Sequence, residues 1–343
     1  MNYSPNQQQN QYFVPVRPPL FCSPEEFEEM KELKRRGSYI GVALVMTFVF
    51  SIIFGGIFYG AARLFSSNSY QSGPFQGMDP ILYFLANGVS FILCFFLPFF
   101  LVAKMMRIPL SDLILFQRIR TKLLFSYVAV GLMPTLYANA AAEKLQSNFS
   151  TIGLNPSVPD FPYDNHFVSI LLHIVVIAVL PALIEEFAFR GVVLGALRKF
   201  GDGFAILVSA ALFGLAHGNI QQTPFAFILG IVFGYLVVKT NSLLPSILVH
   251  FLNNFLVTIL QVVSHNAPQN VSSIVDSLVF LLIFVLGAFG LFYILKQDKT
   301  CFSIAPSDCA LSLKKRIKNV VFNVGMVVGL IVIFIEMITI SVS

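Results

Sequence analysis

Six polar side chains in this sequence lie within strongly apolar segments, where polar and charged groups are rare and costly. They are Glu185, Glu186, Arg190, His217, His250 and Asn254. A carboxylate, two imidazoles and an amide that meet in a partly dry cavity can carry out hydrolysis. A desolvated carboxylate is a better base near neutral pH, and a neutral histidine can hold the attacking water. An asparagine and a second histidine can donate hydrogen bonds to a developing oxyanion.

Spacing along the chain predicts how the charged residues are presented. In LIEEFAFRG, residues 183–191, Glu186 and Arg190 are an i, i+4 pair with the acid first, so we expect an ion pair between them. Glu185 is about 100° away around an α-helix. We therefore expect it to have a separate task, to have no ionic partner and to face the centre of the bundle. Pro181 removes one backbone hydrogen bond and predicts a kink beside the site.

A zinc ion is the alternative that the same residues allow. Two histidines and a glutamate are a ligand set of catalytic zinc sites, and Glu185, His217 and His250 could supply it. Glu185 would then be a ligand, and a separate general base would be needed. The other nearby carboxylate, Glu186, is turned towards its own arginine. This division of roles favours Glu185 as the base, His217 as its partner and no obligatory metal.

The composition of the chain is that of a membrane protein. Of its 343 residues, 56% are hydrophobic and 11% are charged, whereas a soluble domain has about 25% charged residues. We expect an all-α polytopic membrane helical bundle in contact with the lipid bilayer. Apolar runs predict about nine transmembrane spans. They lie at about 39–64, 81–103, 122–141, 166–197, 203–217, 222–239, 242–263, 273–295 and 319–341.

Basic residues alternate between the two ends of the spans. The N-terminal tail and every second loop are rich in lysine and arginine, whereas the opposite loops contain one basic residue, Lys144. The positive-inside rule then predicts an N-terminus inside and a C-terminus outside. The net charge of +5 is explained by these cytoplasmic loops, and no nucleic-acid partner is expected.

The same pattern predicts how the chain is divided. Residues 1–37 are polar and predict a cytoplasmic tail that is partly disordered. Residues 38–343 predict the transmembrane bundle, with a catalytic core at about 166–264. The oligomeric state is left open by the sequence.

The depth of each polar residue in the membrane follows from its distance to the inner end of its span. At 1.5 Å per residue, Glu185, His217 and Asn254 lie about 20 Å deep and His250 about 14 Å deep. Three spans therefore bring polar groups to one layer. We expect the Glu185 carboxylate within one water's reach of His217. We expect His250 to face both across a polar cavity that opens to the cytoplasmic side.

Three short motifs in this layer resemble those of a known family. EEFAFR at 185–190 resembles the EExxxR motif of the CAAX protease and bacteriocin-processing family, also called the Abi or type II CAAX prenyl endopeptidase family. FGLAH at 213–217 resembles its F-x-x-x-H motif, which adds Phe213 to the candidate site. HFLNN at 250–254 resembles its H-x-x-x-N/D/S motif. The likeness covers roughly 166–264, under a third of the chain.

The resemblance implies an all-helical intramembrane endopeptidase that cleaves a peptide or another membrane protein. By similarity, Glu185 and His217 activate water, and His250 and Asn254 form the oxyanion hole. Glu186 and Arg190 shape the site. Members are described both as metalloproteases and as glutamate-dependent enzymes, so the cofactor and a prenyl group on the substrate stay open. A bacterial plasma membrane is the expected location.

A function without catalysis is the alternative. A membrane immunity factor, a scaffold or a transporter could use the same polar cluster to bind an ion or a peptide. No internal repeat is obvious in the sequence, which weakens a transporter built from inverted halves.

Overall fold

The computed structural model describes residues 23–66, 75–151, 162 and 164–342, and most of them are helical. No strand occurs within these ranges, where one isolated antiparallel bridge joins Phe116 to Ser242. The predicted all-α bundle is therefore confirmed.

The N-terminal half contains five α-helices. They are α1 (Pro24–Phe65), α2 (Pro80–Phe91), α3 (Leu97–Met106), α4 (Leu110–Leu113) and α5 (Thr121–Thr151). A π-helical turn, Ile92–Phe96, joins α2 to α3. At the start of α1 the Ser23 side chain accepts a hydrogen bond from the Glu26 amide at 3.1 Å, and Pro24 occupies the first turn.

Helix α1 runs for 42 residues without a break at the predicted boundary after residue 37. The described part of the predicted cytoplasmic tail and the first predicted span are thus one helix. The rest of that tail, residues 1–22, lies outside the described residues.

The central part of the chain, which carries the candidate residues, is a series of shorter elements. They are α6 (Phe167–Ile174), a π-turn (Val175–Val179), α7 (Leu180–Glu185), a π-helix (Glu186–Leu194), α8 (Gly195–Leu197), a 3-10 turn (Arg198–Phe200), α9 (Asp202–Leu215), α10 (Gln222–Thr240) and α11 (Leu244–Asn266). The C-terminal part contains α12 (Gln269–Gln297), α13 (Leu313–Val321) and α14 (Val324–Val342).

Six helices among the described residues are long and apolar enough to cross a membrane. They are Pro24–Phe65, Pro80–Met105, Phe167–Phe200, Gln222–Thr240, Leu244–Asn266 and Gln269–Gln297. The pair α13 and α14, bent by 70°, would make a seventh. The chain is thus a multi-pass integral membrane protein, but the predicted count of nine is not confirmed. Helix α9, a predicted span, has 14 residues, or about 21 Å, and is shorter than the roughly 30 Å hydrocarbon layer.

Close helix crossings are made where glycines face a neighbouring helix. Helix α10 packs along α9, α12 along α5, and α14 along α1. A Cβ built on Gly230 would lie 2.8 Å from Ala210 Cα, and one built on Gly41 would overlap the backbone of Gly325. Small residues at such crossings let membrane helices approach closely, because lipid offers little hydrophobic drive for association.

Candidate active site

The segment that carries both glutamates is not the regular α-helix that the spacing argument assumed. A π-turn precedes α7, and a π-helix begins at Glu186, directly after α7 ends at Glu185. Pro181 has no N–H to donate, so the helical hydrogen-bond pattern is interrupted at this point, beside the predicted kink. Short π-helical segments within α-helices are frequent at functional sites.

The ion pair predicted for this segment is present. Arg190 Nη1 lies 3.0 Å from Glu186 Oε1, and neither side chain is exposed. The guanidinium carbon of Arg190 also lies 4.2 Å from the ring centroid of Phe213 and 5.0 Å from that of Phe233. A carboxylate and two aromatic faces therefore surround this buried cation, each of them attractive to positive charge.

His250 lies between the two glutamates. Its Nδ1 is 3.0 Å from Glu186 Oε1, and its Nε2 is 3.8 Å from Glu185 Oε2. A carboxylate accepts hydrogen bonds, so Nδ1 carries the proton that is donated to Glu186. The expectation that Glu185 has no ionic partner is therefore wrong, since His250 lies beside it, whereas separate tasks for the two glutamates remain a prediction. The two neighbouring carboxylates share one histidine, because α11 places His250 opposite the point where α7 passes into the π-helix.

His217 lies in the turn that follows α9. Its Nδ1 is 2.8 Å from the carbonyl oxygen of Phe213, to which it donates in the neutral ring. Gly218, directly after it, has a φ of 62°, which glycine adopts without strain, so the chain turns sharply here. Among the contacts of the described residues, no hydrogen bond or ion pair joins His217 to Glu185. Separation by one water remains a prediction.

Phe213 links the two histidines. Its ring centroid is 4.9 Å from that of His217 and 5.9 Å from that of His250, and both pairs meet edge to face. The ring also lies over Arg190. Residues from all three sequence motifs therefore surround a single aromatic side chain, which is 2% exposed.

Asn254 is held against the helix that carries the glutamates. Its Nδ2 donates a 3.1 Å hydrogen bond to the carbonyl oxygen of Ile177, and its Oδ1 accepts one from Asn253 at 3.0 Å. Ile177 is four residues before Pro181, so in an α-helical register its carbonyl is the one that the proline leaves without a donor. One N–H of the Asn254 amide remains available for another acceptor.

Sequence reasoning missed three residues that support this cluster. The ring of Phe233 stacks on His250, with centroids 5.2 Å apart. Asn253 bonds Asn254, and the buried Asn219 accepts the amide of Gln221 at 2.8 Å, which fixes the loop after His217. Asn219 was detectable as a polar residue two positions after His217. Phe233 had no signal, because the chain contains 37 phenylalanines.

The three candidate zinc ligands are not gathered into a metal site. In the described part of the chain, no group of three His, Cys, Asp or Glu side chains could hold a metal ion. Glu185 and His250 approach each other, but among the described residues no hydrogen bond or ion pair joins His217 to either of them. In this arrangement the residues do not fit a zinc site, and no catalytic step is assigned to a metal.

Comparison with known proteins gives a family for this region. Residues 167–256 match the family "type II CAAX prenyl endopeptidase Rce1-like". The resemblance predicted from the three motifs is thereby confirmed for this part of the chain.

Two curated bacterial proteins are similar over much the same length. One is YdiL of Bacillus subtilis (strain 168), which carries the name of a membrane peptidase and is 30% identical over 84 residues. The other is the membrane-embedded CAAX protease MroQ of Staphylococcus aureus (strain USA300), 32% identical over 85 residues. The alignments cover 24% and 23% of this chain and 34% of each relative. No solved structure matches the chain.

Proposed function

We propose that this chain is an intramembrane endopeptidase that hydrolyses a peptide bond of a peptide or of a membrane-protein substrate. The observation that carries the proposal is the position of His250 between Glu185 and Glu186, deep in a region similar to CAAX endopeptidases. Two parts of the chain far apart in sequence, the junction of α7 with the π-helix and helix α11, supply this cluster. A bundle that needed only an internal ion pair would already have one in Glu186 and Arg190.

Glu185 is the general base in this mechanism, and His217 is its partner. In its neutral form with Nδ1–H donated to Phe213, His217 presents an unprotonated Nε2, which accepts hydrogen bonds. A water between Nε2 and the Glu185 carboxylate donates a hydrogen bond to each, and its lone pairs then face the scissile carbonyl. Glu185 takes a proton as the water attacks and returns it to the leaving amine, so the proton balance closes.

His250 and Asn254 stabilise the oxyanion that forms at the carbonyl oxygen when water adds to the carbonyl carbon. Nδ1–H of His250 is committed to Glu186, so its Nε2 donates to the oxyanion only when the ring is cationic. In that form Glu185, Glu186, Arg190 and His250 are four neighbouring groups whose formal charges sum to zero. The remaining N–H of Asn254 is the second donor.

Glu186, Arg190 and Phe213 hold the reacting groups in place. Glu186 fixes the tautomer and direction of His250, Arg190 neutralises Glu186, and Phe213 separates the histidines and lies over the guanidinium. This supporting set explains how two carboxylates can be adjacent in sequence and yet act differently. The proposed location is the plasma membrane of a bacterium, since both named relatives are bacterial proteins.

Cleavage of a peptide mixture by the purified protein in ¹⁸O-labelled water tests the activity. We expect new C-termini that contain one ¹⁸O atom, at the same rate with and without a zinc chelator. Glu185→Gln protein prepared in parallel serves as the blank for a contaminating protease. If wild-type protein yields no more product than this blank, but still binds the peptides, the non-catalytic alternative is correct. Loss of activity with chelator and its return with zinc alone would overturn the metal-free mechanism.

A further inference from the structure

Helix α13 has one face packed against the bundle. Lys315 Nζ lies 2.9 Å from a carboxylate oxygen of Glu26, and Arg316 donates to the carbonyl of Phe200. Val320 is fully buried. These side chains fix the rotation of the nine-residue helix about its own axis, so Leu313, Lys314, Ile317 and Lys318 point away from the protein.

The opposite face of α13 is amphipathic and exposed. Leu313 is 50% and Ile317 46% exposed, and their i, i+4 spacing makes an apolar edge. Lys314 and Lys318 repeat that spacing one residue later and make a basic edge beside it. Neither lysine forms an ion pair with a carboxylate of the described residues.

The position of α13 relative to α14 places this face at a membrane surface. The chain bends by 70° between α13 and α14, and α14 is apolar from Val324 to Ile335. A helix that meets a spanning helix at this angle lies across the bilayer rather than through it. Phe322 and Val324, at the bend, are 69% and 82% exposed and continue the apolar edge.

We propose that the exposed face of α13 binds anionic phospholipid headgroups. Lys314 and Lys318 contact the phosphates, while Leu313 and Ile317 enter the acyl boundary below them. Helices with an apolar edge and a lysine-rich edge lie in the interface of membranes, and basic residues next to a span are attracted to anionic lipid. This inference does not depend on the proposed proteolysis.

Charge favours lipid over a second copy of the chain as the occupant. A two-fold contact through this face would bring Lys314 and Lys318 against the same lysines of the other copy. Like charges at such a contact are repulsive, whereas a phosphate layer supplies the opposite charge.

Fluorescence quenching can test this inference directly, because the chain contains no tryptophan. Ile317→Trp introduces a single indole on the exposed face. The variant is reconstituted in bilayers of phosphatidylglycerol and phosphatidylcholine, with brominated acyl chains on one lipid or on the other. We expect stronger quenching when phosphatidylglycerol carries the bromine. The apparent preference for phosphatidylglycerol over phosphatidylcholine should fall about fivefold for each lysine that is replaced, in Lys314→Gln and in Lys318→Gln.

The double variant Lys31→Gln, Lys34→Gln is the matched control. It removes two exposed charges from a part of α1 that has no exposed apolar edge beside them. It should leave the preference unchanged. Equal quenching by both brominated lipids, or a preference that survives loss of Lys314 and Lys318, overturns the inference. Absence of quenching by either lipid also overturns it and shows that protein covers the face. Phe322→Trp gives the same readout if Ile317→Trp does not fold.

Discussion

Each polar residue of the candidate site has a partner that restricts its chemistry. Glu186 contacts both Arg190 and His250 through the same oxygen, Oε1, so this buried carboxylate is restrained by two donor groups. Glu185 is 13% exposed at its side chain and has the looser 3.8 Å contact with His250. The more accessible and less restrained carboxylate is the better candidate for a base that must accept and return a proton.

Replacement of the buried arginine should affect folding as well as activity. In Arg190→Ala, Glu186 remains a buried carboxylate with no arginine to neutralise it. We expect the free energy of unfolding to fall by about 3–5 kcal/mol. We expect a lower folded yield and a lower thermal midpoint in detergent. Arg118→Ala, at an exposed position, should match wild type in both measurements. An Arg190→Ala protein that is as thermostable as wild type yet inactive would place Arg190 in the chemistry itself.

At this scale, local spacing predicted one contact and missed another. The i, i+4 rule gave the Glu186–Arg190 pair because both residues lie on one helical segment. The contact between His250 and Glu186 depends on how α11 is rotated against a different segment. A single sequence contains no periodicity that fixes this rotation, so the approach of both glutamates to one histidine was not predicted.

At the scale of helices, a proline and an asparagine together determine how α11 meets the segment with the glutamates. In an α-helical register Pro181 leaves the carbonyl oxygen of Ile177 without a backbone donor. The side-chain amide of Asn254 donates a hydrogen bond to that oxygen instead. Asn254→Ala alone should therefore destabilise the protein by about 1–3 kcal/mol, the value of an unsatisfied buried acceptor. In a Pro181→Ala background the new N–H at position 181 can satisfy Ile177, so Asn254→Ala should destabilise less.

Thermal midpoints of the four proteins in this double-mutant cycle measure the coupling. Pro98→Ala, at a buried proline in α3, is the matched control, and its effect should simply add to that of Asn254→Ala. If the effects of Asn254→Ala and Pro181→Ala on the thermal midpoint are also additive, the hydrogen bond from Asn254 to Ile177 contributes nothing to the helix arrangement.

The crossing of α1 and α14 is a second feature at this scale. A methyl group on Gly41 would overlap the Gly325 backbone, whereas one on Gly55 of the same helix would meet nothing within 4 Å. We expect Gly41→Ala to lower the thermal midpoint and to expose the C-terminal helices to protease, while Gly55→Ala does neither. Equal behaviour of the two variants would mean that close contact at this crossing is dispensable.

Helix positions were predicted better than helix character. The predicted segments match the observed helices because long apolar runs mark them directly. The π-helix that starts at Glu186 was missed, since its residues have the same apolar composition as an α-helix. The short length of α9 was missed for a related reason, because FGLAH is apolar up to His217 although the helix ends at Leu215.

For the whole molecule, the first and last described helices, α1 and α14, lie side by side. Gly325 meets Ser38, and farther along both helices Gly329 meets Leu44, so α1 and α14 run parallel. They therefore begin at the same membrane face. Composition was enough to predict a membrane bundle. The number of spans was not predictable in the same way, because an apolar run of about 15 residues can be a short internal helix.

The predicted orientation can be measured with engineered cysteines in a chain whose native cysteines are replaced by serine. Lys144→Cys and Lys299→Cys are exposed positions on opposite predicted sides. A membrane-impermeant maleimide should label the first in intact cells and the second only after permeabilisation, because lysine-rich loops stay inside. The reverse pattern would contradict an N-terminus inside.

The central claim is that Glu185 activates the water that cleaves the peptide bond. Its most direct test is kcat/KM for one cleaved peptide, measured for wild type, Glu185→Gln and Glu336→Gln. Glu336 lies in α14, outside the candidate site. We expect Glu185→Gln to lose at least about 100-fold in kcat/KM with an unchanged thermal midpoint, and Glu336→Gln to match wild type. Wild-type kcat/KM in folded Glu185→Gln protein would contradict the account.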